Sequence, residues 1–177
     1  QANADQATTH AAMLPFTRNL FDPMDFTPMC LDKISDKITR RTTPAFELAL
    51  PILFTSGLQH LPETPEGMAK QPDYVKTFLQ SLPASWEDTQ FLDGYPGKYV
   101  SLARKSQGKW FLAGINAQES PQPLTLDLRP LAPLSDGQLI TETDPTHWLT
   151  SPLPASTSLT LTLQPHSGFV ATFNAKP

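Results

Sequence analysis

The spacing of apolar residues changes at Pro83, and this constrains the fold more than any other feature of the chain. Before Pro83 the spacing is helical: Val75, Phe78, Leu79 and Leu82 fall at i, i+3, i+4 and i+7 behind Pro72. Beyond it the period is two. Leu159, Leu161 and Leu163 alternate with Thr160 and Thr162, and Phe169, Ala171 and Phe173 repeat the pattern after the turn Pro165 to Gly168. Such alternation marks strands with one buried face, and the two runs read as a final hairpin. Lys98 to Arg104 and Lys109 to Asn116 read as another hairpin, joined through Lys105 to Gly108, with further strands at Leu124 to Leu128 and Gln138 to Glu142. Six or seven short strands at this spacing predict an antiparallel sandwich. The 19 prolines sit mainly between these elements, where they punctuate the chain without implying disorder.

The N-terminal half carries two helices. Thr43 is placed as an N-cap with Pro44 at the first helical position, followed by Phe46, Leu48, Ala49 and Leu50, with Gly57 available to end the element. The run is apolar on most sides, so it must be covered by neighbouring structure. Ahead of it, the stretch from Leu14 to Pro28 packs three prolines, two acids and an arginine between apolar residues. Each proline biases the preceding residue away from the helical region, so Leu14, Asp22 and Thr27 are predicted to be extended or in turns, as at the end of a buried strand running into a shaped loop.

Charge excludes some partners. With 13 Lys plus Arg against 17 Asp plus Glu, the net charge of -4 gives no electrostatic footprint for a phosphate backbone, so nucleic acid is excluded as a partner. The densest basic run, Lys37 to Arg41, holds three cations and reads as a solvated surface. No apolar run approaches the roughly 18 residues of a membrane span, and no membrane partner is expected. Cys30 is the single cysteine, which excludes an internal disulfide or cysteine cluster; between Met29 and Leu31 it reads as a small buried hydrophobe.

Leu14-Pro-Phe-Thr-Arg18, Pro23-Met-Asp-Phe-Thr-Pro28, Trp86-Glu-Asp-Thr89, Gly94-Tyr-Pro-Gly97 and the run from Tyr99 to Asn116 together resemble glycoside hydrolase family 97, the α-glucosidases and α-galactosidases. The resemblance runs from about Leu14 to Phe173 and covers only the back end of that family's architecture. It implies an α+β fragment: residues 1–83 as the last strand and helices of a (β/α)8 catalytic barrel, and residues 84–177 as an antiparallel β-sandwich that gives structural support or homo-oligomer contacts. A full barrel takes roughly 250 residues, so 177 suit a part better than a whole enzyme. The resemblance further implies a parent that cleaves α-linked oligosaccharides, uses calcium and is periplasmic or otherwise exported, with its signal upstream of Gln1. Members of the α-glucosidase group carry a glutamate just before a histidine upstream of the Leu-Pro-Phe-Thr-Arg motif. Thr9 stands there, before His10, which puts the α-glucosidase group and local calcium ligation in question and fits a retaining α-galactosidase-like member or an altered acid equally.

No residue of this chain is assigned as catalytic or as a metal ligand, because the family's acids lie on barrel strands that precede it. Arg18 and Asp25 are the substrate-binding candidates, in a loop at the carboxyl end of the presumed strand, where barrel active sites lie. Asp25 either accepts backbone N–H bonds within the Pro23 to Pro28 turn or contacts sugar. Arg18, read as buried in an apolar strand end, requires a carboxylate, with Asp22 and Asp25 nearest in sequence. His60, His147 and His166 show no metal-ligand spacing. A second functional class is a non-catalytic carbohydrate-binding or oligomerisation module, in which Trp86, Tyr95, Tyr99, Trp110 and Trp148 stack on sugar or on another subunit. Against it, the alternation around Tyr99 and Trp110 places those two in the sandwich core.

Overall fold

The computed structural model describes residues 2–27, 30–32 and 37–175. Five helices, α1 (Ala2–Met13), α2 (Arg18–Phe21), α3 (Pro44–Leu53), α4 (Pro65–Ala69) and α5 (Asp73–Gln80), come first, with a 3-10 turn at Leu14–Phe16. Eight strands follow: β1 (Asp88–Tyr95), β2 (Tyr99–Ser106), β3 (Lys109–Asn116), β4 (Gln122–Asp127), β5 (Leu134–Asp144), β6 (His147–Leu153), β7 (Ser158–Leu163) and β8 (Gly168–Ala175). Six of them form an antiparallel sheet in the order β1-β2-β3-β8-β5-β6, and β4 pairs with β7 in a second layer.

The antiparallel sandwich follows the sequence pattern, but its pairing differs in one respect. The alternating runs around Leu161 and Ala171 do not form a hairpin. β7 pairs with β4, whereas β8 pairs with β3 and β5. Both runs need to bury one apolar face, and they do so across the sandwich: Leu159 and Leu163 share a core with Phe169, Ala171 and Phe173. The segment between them therefore crosses from one layer to the other. The β2–β3 hairpin is as predicted, and its two tip residues, Gln107 and Gly108, take φ of 50° and 72°. Positive φ at both positions suits the right-handed twist of the flanking strands, and Gly108 adopts it without steric cost.

Helix α3 decides how the two halves meet. Thr43 caps it as predicted, its hydroxyl accepting from the Phe46 amide at 3.3 Å. Every residue of the helix except Glu47 is buried. The neighbouring structure that covers it is the outer face of the six-stranded sheet. Val100, Leu102, Phe111, Ala113, Ile115, Ile140 and Val170 form one core with Phe46, Leu48, Ile52 and Leu53. β3 is thus apolar on both faces, Trp110 and Leu112 pointing into the sandwich and Phe111 and Ile115 towards the helix. Gly168 permits the close approach, since a Cβ there would lie 2.8 Å from the Ala45 carbonyl and 2.9 Å from the Phe46 Cα.

The strand expected at Leu14 to Leu20 is not formed. Leu14–Phe16 is a 3-10 turn and Arg18–Phe21 a short helix, with Pro15 at the second position of the turn, where its missing N–H costs nothing because the first-turn amides have no internal partner. Only from Asp22, at φ -150° and ψ 158°, is the chain extended. Among the described residues no strand precedes β1. Pro28 and Met29, to which the turn and cysteine readings extended, lie outside the described residues.

Candidate functional site

The loop after α2 is held against the segment after α3 chiefly through Asn19. Asn19 Nδ2 donates to the Thr55 carbonyl at 3.0 Å, the Thr55 hydroxyl at 2.7 Å and the Asp22 carbonyl at 3.1 Å. Its Oδ1 accepts the Thr55 amide at 2.6 Å, and the Met24 amide donates to the Thr55 carbonyl at 3.0 Å. Phe26 is seated edge-on against Phe54 with ring centroids 4.6 Å apart. The consequence is a fixed loop with Asp25 at its surface. Asp25 shares a shallow depression of about 450 Å³ with Pro23, Met24, Ser56, Gly57, Leu58 and His60. Asp25 and His60 are exposed there and Ser56 is half-buried, which suits hydrogen bonding to hydroxyls. Sequence reasoning missed Asn19, which adjoins Arg18 and signals its role only through the Thr55 contact.

Arg18 is exposed, so the demand for a carboxylate does not arise. Its Nη1 donates to the Asp22 carbonyl and its Nη2 to the Pro23 carbonyl, each at 3.3 Å. It thereby tethers the start of the loop that carries Asp25. Cys30 is half-buried rather than buried, with Sγ 3.4 Å from the Asp32 carbonyl, and burial pushes its thiol up from the ordinary value. His10 and His60 are exposed, His147 pairs with Asp144 at 2.8 Å, and His166 lies 3.3 Å from Glu119. The Thr146 hydroxyl, then the His147 ring, hold the Asp144 carboxyl down at about 2. Among the described residues no group of three or more His, Cys, Asp or Glu is placed to hold a metal ion.

The aromatic residues do not assemble into a sugar platform. Trp110 is in the sandwich core and Tyr99 packs against it, donating its hydroxyl to Asp93 at 3.2 Å. Trp86 meets Phe111 edge-on at 5.4 Å on the opposite, helical side of the sheet. Trp148 also lies on that side and donates to Gln71 Oε1 at 3.0 Å, tying β6 to the end of α4. Tyr95 alone is well exposed, with Lys98 Nζ 4.5 Å above its ring.

Two ionisable side chains, buried Arg104 and half-buried Glu142, lock α3 onto the sheet. At its C-terminal end Arg104 of β2 donates to the Ile52 carbonyl at 2.6 Å, the Leu53 carbonyl at 3.2 Å and the Thr89 hydroxyl at 2.7 Å. Burial lowers its pKa to about 10, so the guanidinium stays charged at neutral pH and faces the negative end of the helix dipole. At the N-terminal end Glu142 of β5 accepts the Ala45 amide at 3.0 Å and the Ser167 hydroxyl at 2.7 Å. Burial raises its pKa, against the lowering effect of these bonds.

Comparison with known proteins places these features in a family context. Residues 85–174 match the model described as "Glycosyl-hydrolase 97 C-terminal, oligomerisation". A probable retaining alpha-galactosidase from Streptomyces bingchenggensis (strain BCW-1) is 42% identical over 108 residues, covering 61% of this chain and 16% of the relative. Among solved structures, a beta-arabinopyranosidase superposes with a TM-score of 0.88 at 29% identity, over 97% of this chain and 28% of that one. A Glycoside Hydrolase Family 97 enzyme from Pseudoalteromonas sp. strain K8, in complex with acarbose, gives 0.83 at 27% identity, over 96% of this chain and 29% of its own. The chain therefore spans less than a third of any of these relatives.

Proposed function

Because the chain belongs to glycoside hydrolase family 97 through its C-terminal domain, we propose that it is the C-terminal part of a retaining α-glycosidase acting on α-galactosides. The match over residues 85–174 carries this reading, together with the name of the Streptomyces relative. Thr9, standing where α-glucosidase members carry a glutamate, fits a galactoside-acting member. So does the chemistry of the arabinopyranosidase neighbour, since a β-L-arabinopyranoside differs from an α-D-galactoside only in lacking the exocyclic hydroxymethyl group.

In this reading residues 1–83 are the end of the catalytic barrel, contributing helices rather than its last strand. Residues 84–177 are the supporting sandwich. Retention requires two carboxylates roughly 5 to 5.5 Å apart, one as nucleophile and one as acid and then base. Neither belongs to this chain. Its contribution to the site is the loop held by Asn19 and Arg18, with Asp25 and His60 offering hydrogen bonds to substrate hydroxyls. Among the described residues no three acidic or imidazole groups come together as a donor set for the parent's calcium, and no step is derived through it. An exported, periplasmic parent follows from the same family likeness.

The test is an aryl α-glycoside assay on the 177-residue chain and on the parent that contains it. The parent is expected to hydrolyse the α-galactoside in preference to the α-glucoside, and the chain alone neither. Turnover by the chain alone sinks the reading.

A further inference from the structure

We infer that Arg104 is a positioning residue for the substrate loop: from its strand in the sandwich it fixes, through the last turn of α3, where Asp25 and His60 stand. The inference rests on the proposed function, which gives those two side chains their contact with substrate. It adds to the sandwich a task beyond the oligomerisation by which the matched domain is described.

Each link in the connection is short. Arg104 donates to the Ile52 and Leu53 carbonyls, the last two of α3. The next residue, Phe54, carries the ring against which Phe26 is seated. The one after it, Thr55, gives its amide to Asn19 Oδ1 and accepts the Met24 amide at its carbonyl. Met24 and Phe26 flank Asp25, so both of its neighbours are held by the two residues that follow the helix. On the other side of the depression, Gln59 Nε2 donates to the Pro51 carbonyl at 2.8 Å and the Phe54 carbonyl at 3.4 Å. That ties the residue before His60 to the same turn.

The turn in its turn depends on the guanidinium. The final carbonyls of a helix have no partner within it, and here a rigid fork on β2 reaches two of them in succession. The fork is itself fixed, being 7% exposed and donating from Nη1 to the Thr89 hydroxyl of β1. Its effect on the reaction is therefore one of binding. The catalytic carboxylates lie outside this chain, and hydrogen bonds made equally to the ground and transition states change KM and not kcat.

Two measurements test this. In the 177-residue chain, Arg104→Met is expected to speed amide exchange at Met24 and Thr55 by about tenfold or more. Leu163→Ala, a truncation in the sandwich core, destabilises the fold without touching α3 and should leave both amides within about twofold. In the parent, Arg104→Met is expected to raise KM for an aryl α-galactoside about tenfold with kcat held within about threefold. Arg104→Lys should recover part of that loss, since an ammonium still reaches one carbonyl, and Leu163→Ala should change neither constant. Thr89→Val, which frees the guanidinium without removing it, should act in the same direction as Arg104→Met and carries the test if that variant does not fold. An active parent whose KM is unmoved by these changes overturns the inference, as does Leu163→Ala matching Arg104→Met in either measurement. A wild-type parent inactive on α-galactosides overturns the proposed function instead, and exchange at Met24 and Thr55 then decides the link by itself.

Discussion

Arg104 Nε lies 2.6 Å from the carbonyl oxygen of Ile52, so a cation on the second strand of the sheet closes the last turn of the apolar helix that covers it. The bond joins residues 52 positions apart and satisfies a carbonyl that the helix cannot satisfy internally. Replacing Arg104 with Leu removes this donor and that to Leu53, leaving both carbonyls buried. A loss of about 3 kcal/mol is expected, since bonds to a charged group contribute roughly 1.5–3 kcal/mol and an orphaned acceptor adds to the cost. Chemical denaturation of the variant measures it, and an unchanged midpoint would contradict the role given to Arg104.

Glu142 performs the matching task at the other end of the helix, and its variant has a pH signature. Glu142→Ala should cost about 2 kcal/mol, because the Ala45 amide loses its acceptor. Burial raises the folded pKa above the unfolded one. The folded state therefore binds the proton more tightly, and this contribution is fully present below the ordinary carboxylate range and lost as pH rises through the raised value. The stability gap between wild type and Glu142→Ala is expected to narrow over that interval. Denaturation curves at several pH values check the sign, and a gap that widens contradicts it.

Asn19→Ala removes the bonds that fix the loop carrying Asp25. The amides of Met24 and Thr55 should then exchange with solvent faster, while those of Phe111 to Ile115 keep their protection. Amide hydrogen exchange distinguishes this local release from general destabilisation. Equal loss of protection at both places would show that Asn19 supports the whole core.

Removing residues 1–42 and removing residues 1–84 should give opposite outcomes. The sandwich from about Ser85 to Ala175 holds all eight strands. In the structure its outer face is covered by α3, and without that helix Val100, Leu102, Phe111, Ile115 and Val170 face water. The 43–177 fragment is expected to fold and the 85–177 fragment to aggregate or bind a hydrophobic dye. Phe46→Ala should cost about 3–5 kcal/mol for the same reason.

The chain should bind calcium no better than the millimolar range of weak oxygen sites. The described residues place no three acidic or imidazole groups together, and Asp22 and Asp25 are both exposed. Titration calorimetry checks this, and a micromolar site would show that the chain itself holds the metal.

Local chemistry determined much of the fold before any contact was known. Thr43-Pro44 starts α3 because a hydroxyl acceptor and a fixed φ suit a helix N-terminus, and the β2–β3 hairpin closes at Gln107-Gly108 because glycine tolerates positive φ. The alternation at Leu159 to Leu163 and Phe169 to Phe173 gave two strands correctly, but period alone does not say whether adjacent strands pair or face each other across a core. That was settled by which apolar faces had to meet, β7 turning to β4 and β8 to β3. The prolines of Leu14 to Thr27 were legible as a break from regular structure, yet the helix at Arg18 depended on Asn19 reaching Thr55, 36 residues away. The same holds for Arg104 and Glu142, which in sequence are charges within strands of ordinary appearance. Only the packing of α3 against the sheet made them its anchors, because the open groups of a helix end are satisfied by whatever neighbour the tertiary structure brings within hydrogen-bond reach.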